Sequence, residues 1–205
     1  MTINNKTRAL RTGNSKLGKD VPVFNLQPMA TCPGRTKGCA GKSGYCYACH
    51  GNYLYPSHMV NWKNNKAFAN SRHFVPAMVR DIAIHKSRVA RKGESLRVRL
   101  HSTGDFYSQR YLNNWIKVAN EHPDVQFLAY TRSHMLDFSS LPDNFKVYYS
   151  IDDTTEAMPI TLRQYAEVVP ADHTARVKGR HICQSECHKC KACWAMGWNV
   201  AFRMH

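Results

Sequence analysis

All eight cysteines of this chain fall into two tight groups, Cys32, Cys39, Cys46 and Cys49 near the start and Cys183, Cys187, Cys190 and Cys193 near the end. Four thiolates are what one zinc ion or one iron–sulfur cluster requires, so the grouping predicts a metal loop near each end of the fold. Metal at both positions would pin the chain whatever its apolar core contributes. Met1 to Asp20 is polar and basic with no apolar run behind it, which reads as no secretory signal. No stretch approaches the length of a transmembrane helix, so no membrane is expected. The expected compartment is a reducing cytoplasm, where grouped cysteines hold metal more often than they form disulfides.

Charge is the second strong signal. The 205 residues carry 29 Lys and Arg against 14 Asp and Glu, a formal +15. Such a field draws polyanions, which points to nucleic acid or a nucleotide as partner; the plain alternative is a basic surface without one. Lys6, Arg8, Arg11, Lys16 and Lys19 lie in the first twenty residues, and Arg80, Lys86, Arg88, Arg91 and Lys92 crowd one predicted helix. Oligomeric state is not legible.

Residues 1–20 read as a basic flexible arm, 21–178 as a β/α core containing a metal loop at 29–56, and 179–205 as a cysteine-rich metal segment. Within the core, Val21 to Pro28 is a short strand candidate. Ser57 to Lys92 turns helical, with apolar residues largely at i, i+3, i+4 and i+7; Pro76 opens a second helix and Gly93 ends it. Ser95 to His101 alternates apolar and basic residues as a strand. Tyr107 to Glu121 is an amphipathic helix, and Val125 to Tyr130 and Phe145 to Ile151 are strands. Val168-Val169 and Ala175 to Val177 are weaker strand candidates. Alternating strands and helices argue for an α/β fold with parallel pairing. The crossover rule and the chain length make it a partial, incomplete β/α barrel or an open parallel sheet.

Parallel sheets gather their chemistry beyond the carboxyl ends of the strands. Those ends run into Met29-Ala30-Thr31-Cys32, His101-Ser102-Thr103-Gly104-Asp105, Thr131-Arg132-Ser133 and Asp152-Asp153. His101, Asp105 and Arg132 are the candidate catalytic residues of this rim, and Ser102, Gly104 and Asp105 a candidate cofactor-binding loop. The alternative for such residues, Asp153 above all, is ordinary helix capping.

The C-terminal run, Cys-x3-Cys-x2-Cys-x2-Cys, resembles a ferredoxin run in reverse order, and its density suits a [4Fe-4S] cluster. Zinc, which more often uses two separated Cys-x2-Cys knuckles, is the alternative. His181 and His188 read as exposed or outer residues. The N-terminal group, Cys-x6-Cys-x6-Cys-x2-Cys, fits a cluster with an open iron or a closed structural site. His50 is a spare ligand candidate or an exposed loop histidine. Tyr45 and Tyr47 bracket Cys46 and would shield a cluster from water.

Four stretches together, Thr31 to Gly51 (TCPGRTKGCAGKSGYCYACHG), Arg99 to Trp115 (RLHSTGDFYSQRYLNNW), Ala129 to Ser133 (AYTRS) and Cys193-Trp194, resemble the bacteriophage gene-product-88 family. The resemblance implies a phage-encoded, cysteine-rich protein of iron–sulfur type, placed in the cytoplasm of the infected host cell. Cys32, Cys39 and Cys46 match the family's recurring cysteines, and Cys49 looks like an addition. The order of parts is also similar to the radical S-adenosylmethionine enzymes. That likeness implies a cofactor contact at Asp105 and an auxiliary cluster on the C-terminal cysteines. The first loop departs from their Cys-x3-Cys-x2-Cys spacing, which occurs here at Cys183, Cys187 and Cys190 instead.

The reading these features support is an iron–sulfur metalloprotein, an enzyme acting on nucleic acid or a nucleotide beside the N-terminal cluster. In it Arg97, Arg99 and Arg132 grip phosphate, while His101 and Asp105 manage protons. The alternative is a nucleic-acid-binding module with two structural zinc sites, whose Tyr45, Tyr47, Tyr53 and Trp62 stack bases unless they are core. A third reading, an adaptor for a host protein, has no sequence feature that tests it.

Overall fold

Strand propensity and alternation place every long strand where β-branched and aromatic residues cluster, and the sheet they form is wholly parallel. The computed structural model describes residues 9–40, 44–156, 164–170, 179–195 and 197–204. Its strands are β1 (Val23–Phe24), β2 (Arg97–Leu100), β3 (Gln126–Thr131), β4 (Phe145–Ile151), β5 (Tyr165–Val169), β6 (His181–Ile182) and β7 (Val200–Arg203). They pair in the order β1-β2-β3-β4-β5-β7-β6, with parallel register throughout. Helices α1 (Pro56–Ala69), α2 (Phe74–Ala90) and α3 (Gln109–Asn120) fill the early connections. Two one-turn helices, α4 (Cys187–Cys190) and α5 (Ala192–Ala195), carry three of the C-terminal cysteines. The fold is therefore α/β, with β1 and β6 as the two edges of an open sheet among the described residues.

Two apolar layers sandwich the sheet, and strand alternation decides which residue serves which. On β3, Phe127 and Ala129 join the helix-side core, while Leu128 and Tyr130 join the opposite face. The helix-side core centres on Phe24, Phe74 and Trp115, whose rings meet edge-to-face at 5.2–5.7 Å. Burying side chains of this size stabilises by about 1.5–3 kcal/mol each, with a further ~0.5–1.5 kcal/mol for each ring pair. Ser108 caps α3 by accepting from the Tyr111 N–H at 3.3 Å. The Asn144 amide donates to the carbonyls of Ala119, His122 and Val125, tying the end of α3 to the start of β3.

Several boundaries differ from the sequence reading. β1 is two residues long, because Asn25 turns its carboxamide to the next loop. α2 opens at Phe74, leaving Pro76 in its first turn, where a missing N–H costs nothing. β5 begins at Tyr165 and runs past the buried Glu167, which pairs with Arg180. Residues 9–20 are docked: Leu10 and Leu17 are buried, the Leu10 N–H donates to Asp81, and Arg11 bridges Val23. The C-terminal segment supplies β6 and β7, so it completes the sheet as well as carrying cysteines. The strand candidate at Ala175 to Val177 lies outside the described residues, as do Lys6 and Arg8.

Candidate functional site

Each strand from β1 to β4 stops where the chain meets the first cysteine loop, and polar side chains tie the two together. The β1–β2 end comes first. Asn25 Oδ1 accepts from the N–H groups of Ser102 and Thr103, and Thr103 Oγ1 donates to Leu26 O. Gly104 has a φ of 79°, and a Cβ there would lie 2.6 Å from Leu26 Cβ and 2.7 Å from Thr31 Oγ1. Only glycine lets the two loops meet this closely.

Asp105 is buried beneath that contact. Its Oδ1 accepts from Thr131 Oγ1 at 2.6 Å and Phe106 N at 2.7 Å, and its Oδ2 accepts from Arg132 N at 2.8 Å. Burial pushes its carboxyl up to about 6, against the pull of those donors. The negative charge of Asp105, after burial itself, helps push the neighbouring Cys32 thiol up to about 12.

The β3–β4 end makes a second brace. Arg132 pairs with Asp152 at 3.0 Å, and both side chains are buried. Tyr45 donates to Asp152 and accepts from Arg132 at 2.6 Å, while Thr36 donates to Asp152 at 2.7 Å. Thr154 completes the set, donating to Asp152 and accepting from the Gly38 N–H at 2.9 Å. Burial opposes ionisation of Asp152, but the donors Tyr45, Thr36 and Thr154 and the Arg132 charge hold its carboxyl at about 2. Gly34 sits against the same strand end; a Cβ there would fall 1.7 Å from the Arg132 carbonyl oxygen.

These braces fold the loop back on itself over the strand ends. The thiols of Cys39, Cys46 and Cys49 interact directly: Cys46 is hydrogen-bonded to both others, which lowers its pKa and raises that of Cys39. Cys32 feels the Cys46 charge. The second group gathers on the far face of the sheet. Cys183, Cys187 and Cys193 pack against Leu128, Tyr130, Tyr148 and Val200, and these three cysteines line one small pocket with Cys190 and His181. Cys190 Sγ lies 3.3 Å from His181 Nε2. All eight cysteines are free and half-buried. Among the described residues, no three His, Cys, Asp or Glu side chains are placed to hold a single metal ion.

The remaining candidates are dispersed. His101 follows Arg97 and Arg99 in alternation and would face the sheet's far side. A φ of 60° turns it instead into the helix-side core, where its Nε2 meets Tyr111 OH at 2.9 Å and its ring stacks edge-on to Phe106. Burial, aided by the Arg99 charge, lowers its pKa to about 3, so it is neutral. Arg132 is braced internally, not open to phosphate. Arg99 lies over the Tyr130 ring at 4.1 Å, and its Nε has no hydrogen-bond partner. Asp153 is exposed. Thr36 and Gly34 escaped the sequence reading, and the sequence places Thr131 at a strand end without a role; the Gly34/Gly38 spacing was the one signal that the loop packs closely.

The fold and the site define a parallel α/β protein whose strand ends carry a braced, thiol-rich loop. The family model described as Gene product 88 matches residues 2–196, so the chain belongs to that family. The Gene 88 protein of Mycobacterium phage L5 is 42% identical over 57 residues, which cover 26% of this chain and 24% of that protein. The aligned stretch thus spans about a quarter of that relative. No solved structure matches the chain.

Proposed function

We propose that this bacteriophage-family protein is an iron–sulfur metalloprotein that acts on nucleic acid or a nucleotide at the strand-end mouth, within the infected host cell. The observation that carries the reading is the gathering of four free thiols over the carboxyl ends of a parallel sheet. That is where such sheets hold their ligands. The donor chemistry suits the group, soft half-buried thiolates on a loop braced by the sheet, and loading would have to draw them together, since no three are placed around one ion among the described residues. A bound cluster would supply electron transfer or an iron open to substrate.

The chain's own residues then have defined tasks. Cys32, Cys39, Cys46 and Cys49 ligate at the mouth, and Cys183, Cys187, Cys190 and Cys193 ligate on the far face. Asp105 positions Cys32 through the Thr31–Gly104 contact and gives up its proton only as the pH rises through about 6. Arg132, Asp152 and Tyr45 fix the loop and keep water from its inner side. Ser102 and Gly104 serve the contact at the β1–β2 end, and adenosylmethionine is a ligand to be assayed at that loop. The +15 charge supports a polyanionic partner.

The test is anaerobic purification with iron, sulfide and zinc assays and electron paramagnetic resonance. Brown protein with iron and acid-labile sulfide in equal amounts supports the reading. Colourless protein with bound zinc replaces it by a nucleic-acid-binding module with structural zinc, and metal-free folded protein ends both.

A further inference from the structure

From residue 21 to residue 80 the chain has no Asp and no Glu, while it has seven Lys and Arg. That span holds the first cysteine loop and all of α1. The same region concentrates the exposed apolar surface. Of nine large apolar side chains exposed among the described residues, five lie between Tyr47 and Val60: Tyr47, Leu54, Tyr55, Met59 and Val60. Water-facing rings and methyl groups at this density mark an interaction surface.

The geometry joins that surface to the mouth. Tyr47 donates its hydroxyl to Ser102 O just past β2, so its oxygen is engaged while the residue as a whole is 54% exposed. Its ring meets Tyr53 at 5.5 Å, Tyr53 meets His58 at 6.2 Å, and His58 meets Trp62 at 5.9 Å. A row of rings thus leads from the cysteine loop down the first turns of α1. Tyr55, Met59 and Lys63 follow at i, i+4 spacing and are all exposed. Tyr45 and Trp62, by contrast, are spent inside the fold, on the Arg132–Asp152 brace and in the core.

We infer that this face binds single-stranded nucleic acid, with Tyr47 and Tyr55 stacking unpaired bases and nearby cations meeting the backbone. The inference rests on the nucleic-acid reading above and names its substrate as single-stranded. An apolar surface alone would suit a protein partner equally well. The absence of any carboxylate over sixty positions, 21 to 80, favours a polyanion. Flat exposed rings favour one whose bases are unpaired, because a duplex keeps its base faces covered.

The test uses the full chain, purified anaerobically, and fluorescence anisotropy with a labelled oligothymidylate and a duplex of equal length. The single strand should bind more tightly than the duplex. Tyr55→Ala should weaken it about tenfold at constant salt, Tyr55→Trp should retain it, and Lys63→Ala should flatten the salt dependence. Tyr55 is 58% exposed, and an unchanged circular dichroism melt confirms that the variant folds. Equal affinity for both oligonucleotides with Tyr55→Ala unaffected overturns the inference and leaves a general polyanion binder. No binding to either oligonucleotide overturns the inference and the nucleic-acid partner together. A change of oligomeric state in Tyr55→Ala and Met59→Ser, without change in anisotropy, overturns it in favour of a second copy as occupant. None of these readouts depends on which metal the cysteines hold.

Discussion

The Arg132 guanidinium and the Asp152 carboxylate meet at 3.0 Å across the ends of two neighbouring strands, and the first cysteine loop is tied to both. The loop is therefore held by the sheet, not by its own local structure. Removing either partner leaves the other charged and buried, which costs about 3–5 kcal/mol. Arg132→Met should lower the unfolding free energy measured in urea by that amount and, on the metal reading proposed above, release the metal of the first group before that of the second. Metal content measured on the folded variant checks the second half of the statement.

Gly34 and Gly104 make the same point by shape. A methyl at residue 34 would overlap the Arg132 carbonyl, and one at residue 104 would meet Leu26 and Thr31 at a φ that side chains avoid. Gly34→Ala and Gly104→Ala should each destabilise by roughly 2–4 kcal/mol, whereas Gly51→Ala, with open space around it, should cost about 1 kcal/mol for its positive φ. Thermal unfolding of the three variants side by side separates crowding from backbone strain.

The two buried carboxylates predict opposite pH dependences. Asp105 is raised from 3.8 to about 6, so the native state holds its proton longer than the unfolded chain does. Its contribution to stability is therefore undiminished below pH 3.8 and falls as pH rises to about 6, by roughly 3 kcal/mol in all. Asp152 is lowered to about 2, so its contribution is full above pH 3.8 and is lost as pH falls toward 2. Asp105→Asn should be more pH-independent than the parent between pH 4 and 6. Identical slopes of stability against pH in the two proteins would contradict the assignment.

The cysteine groups differ in what lies around them. Cys193 packs with Leu128, Tyr148 and Val200 on the far face of the sheet, whereas Cys46 belongs to a surface loop. Cys193→Ser should lower the melting temperature well beyond Cys46→Ser, since core packing, and on the proposed reading a metal ligand, are lost together there. Cys46→Ser should change metal content at nearly constant far-ultraviolet circular dichroism.

Arg99 stands over Tyr130, which itself packs on the C-terminal cysteines. A partly buried positive charge beside a cluster favours its more negative, reduced form. If the C-terminal thiols hold the proposed cluster, Arg99→Met should lower its potential by on the order of tens of millivolts, read by redox titration under paramagnetic resonance. An unchanged potential would remove Arg99 from the cluster's surroundings.

The sequence alone determined the α/β alternation, the helices near 57–92 and 107–121, the strands at the β2, β3 and β4 positions, and the two thiol groups. Each depends on local periodicity or spacing, which adjacent residues carry. It also placed Arg132, Asp105 and Asp152 at strand ends, because strand ends follow from strand limits. Only the tertiary structure decided what those residues do. His101 turns into the core because one positive φ breaks the alternation, and Arg132 turns inward because Asp152, twenty residues later, lies beside it. Strand β6 was hidden because two residues show no period, and β7 because its place is set by pairing with β5 and β6, which are distant in the chain. Pairing between far-separated segments is a property of the assembled sheet, and no window of sequence contains it.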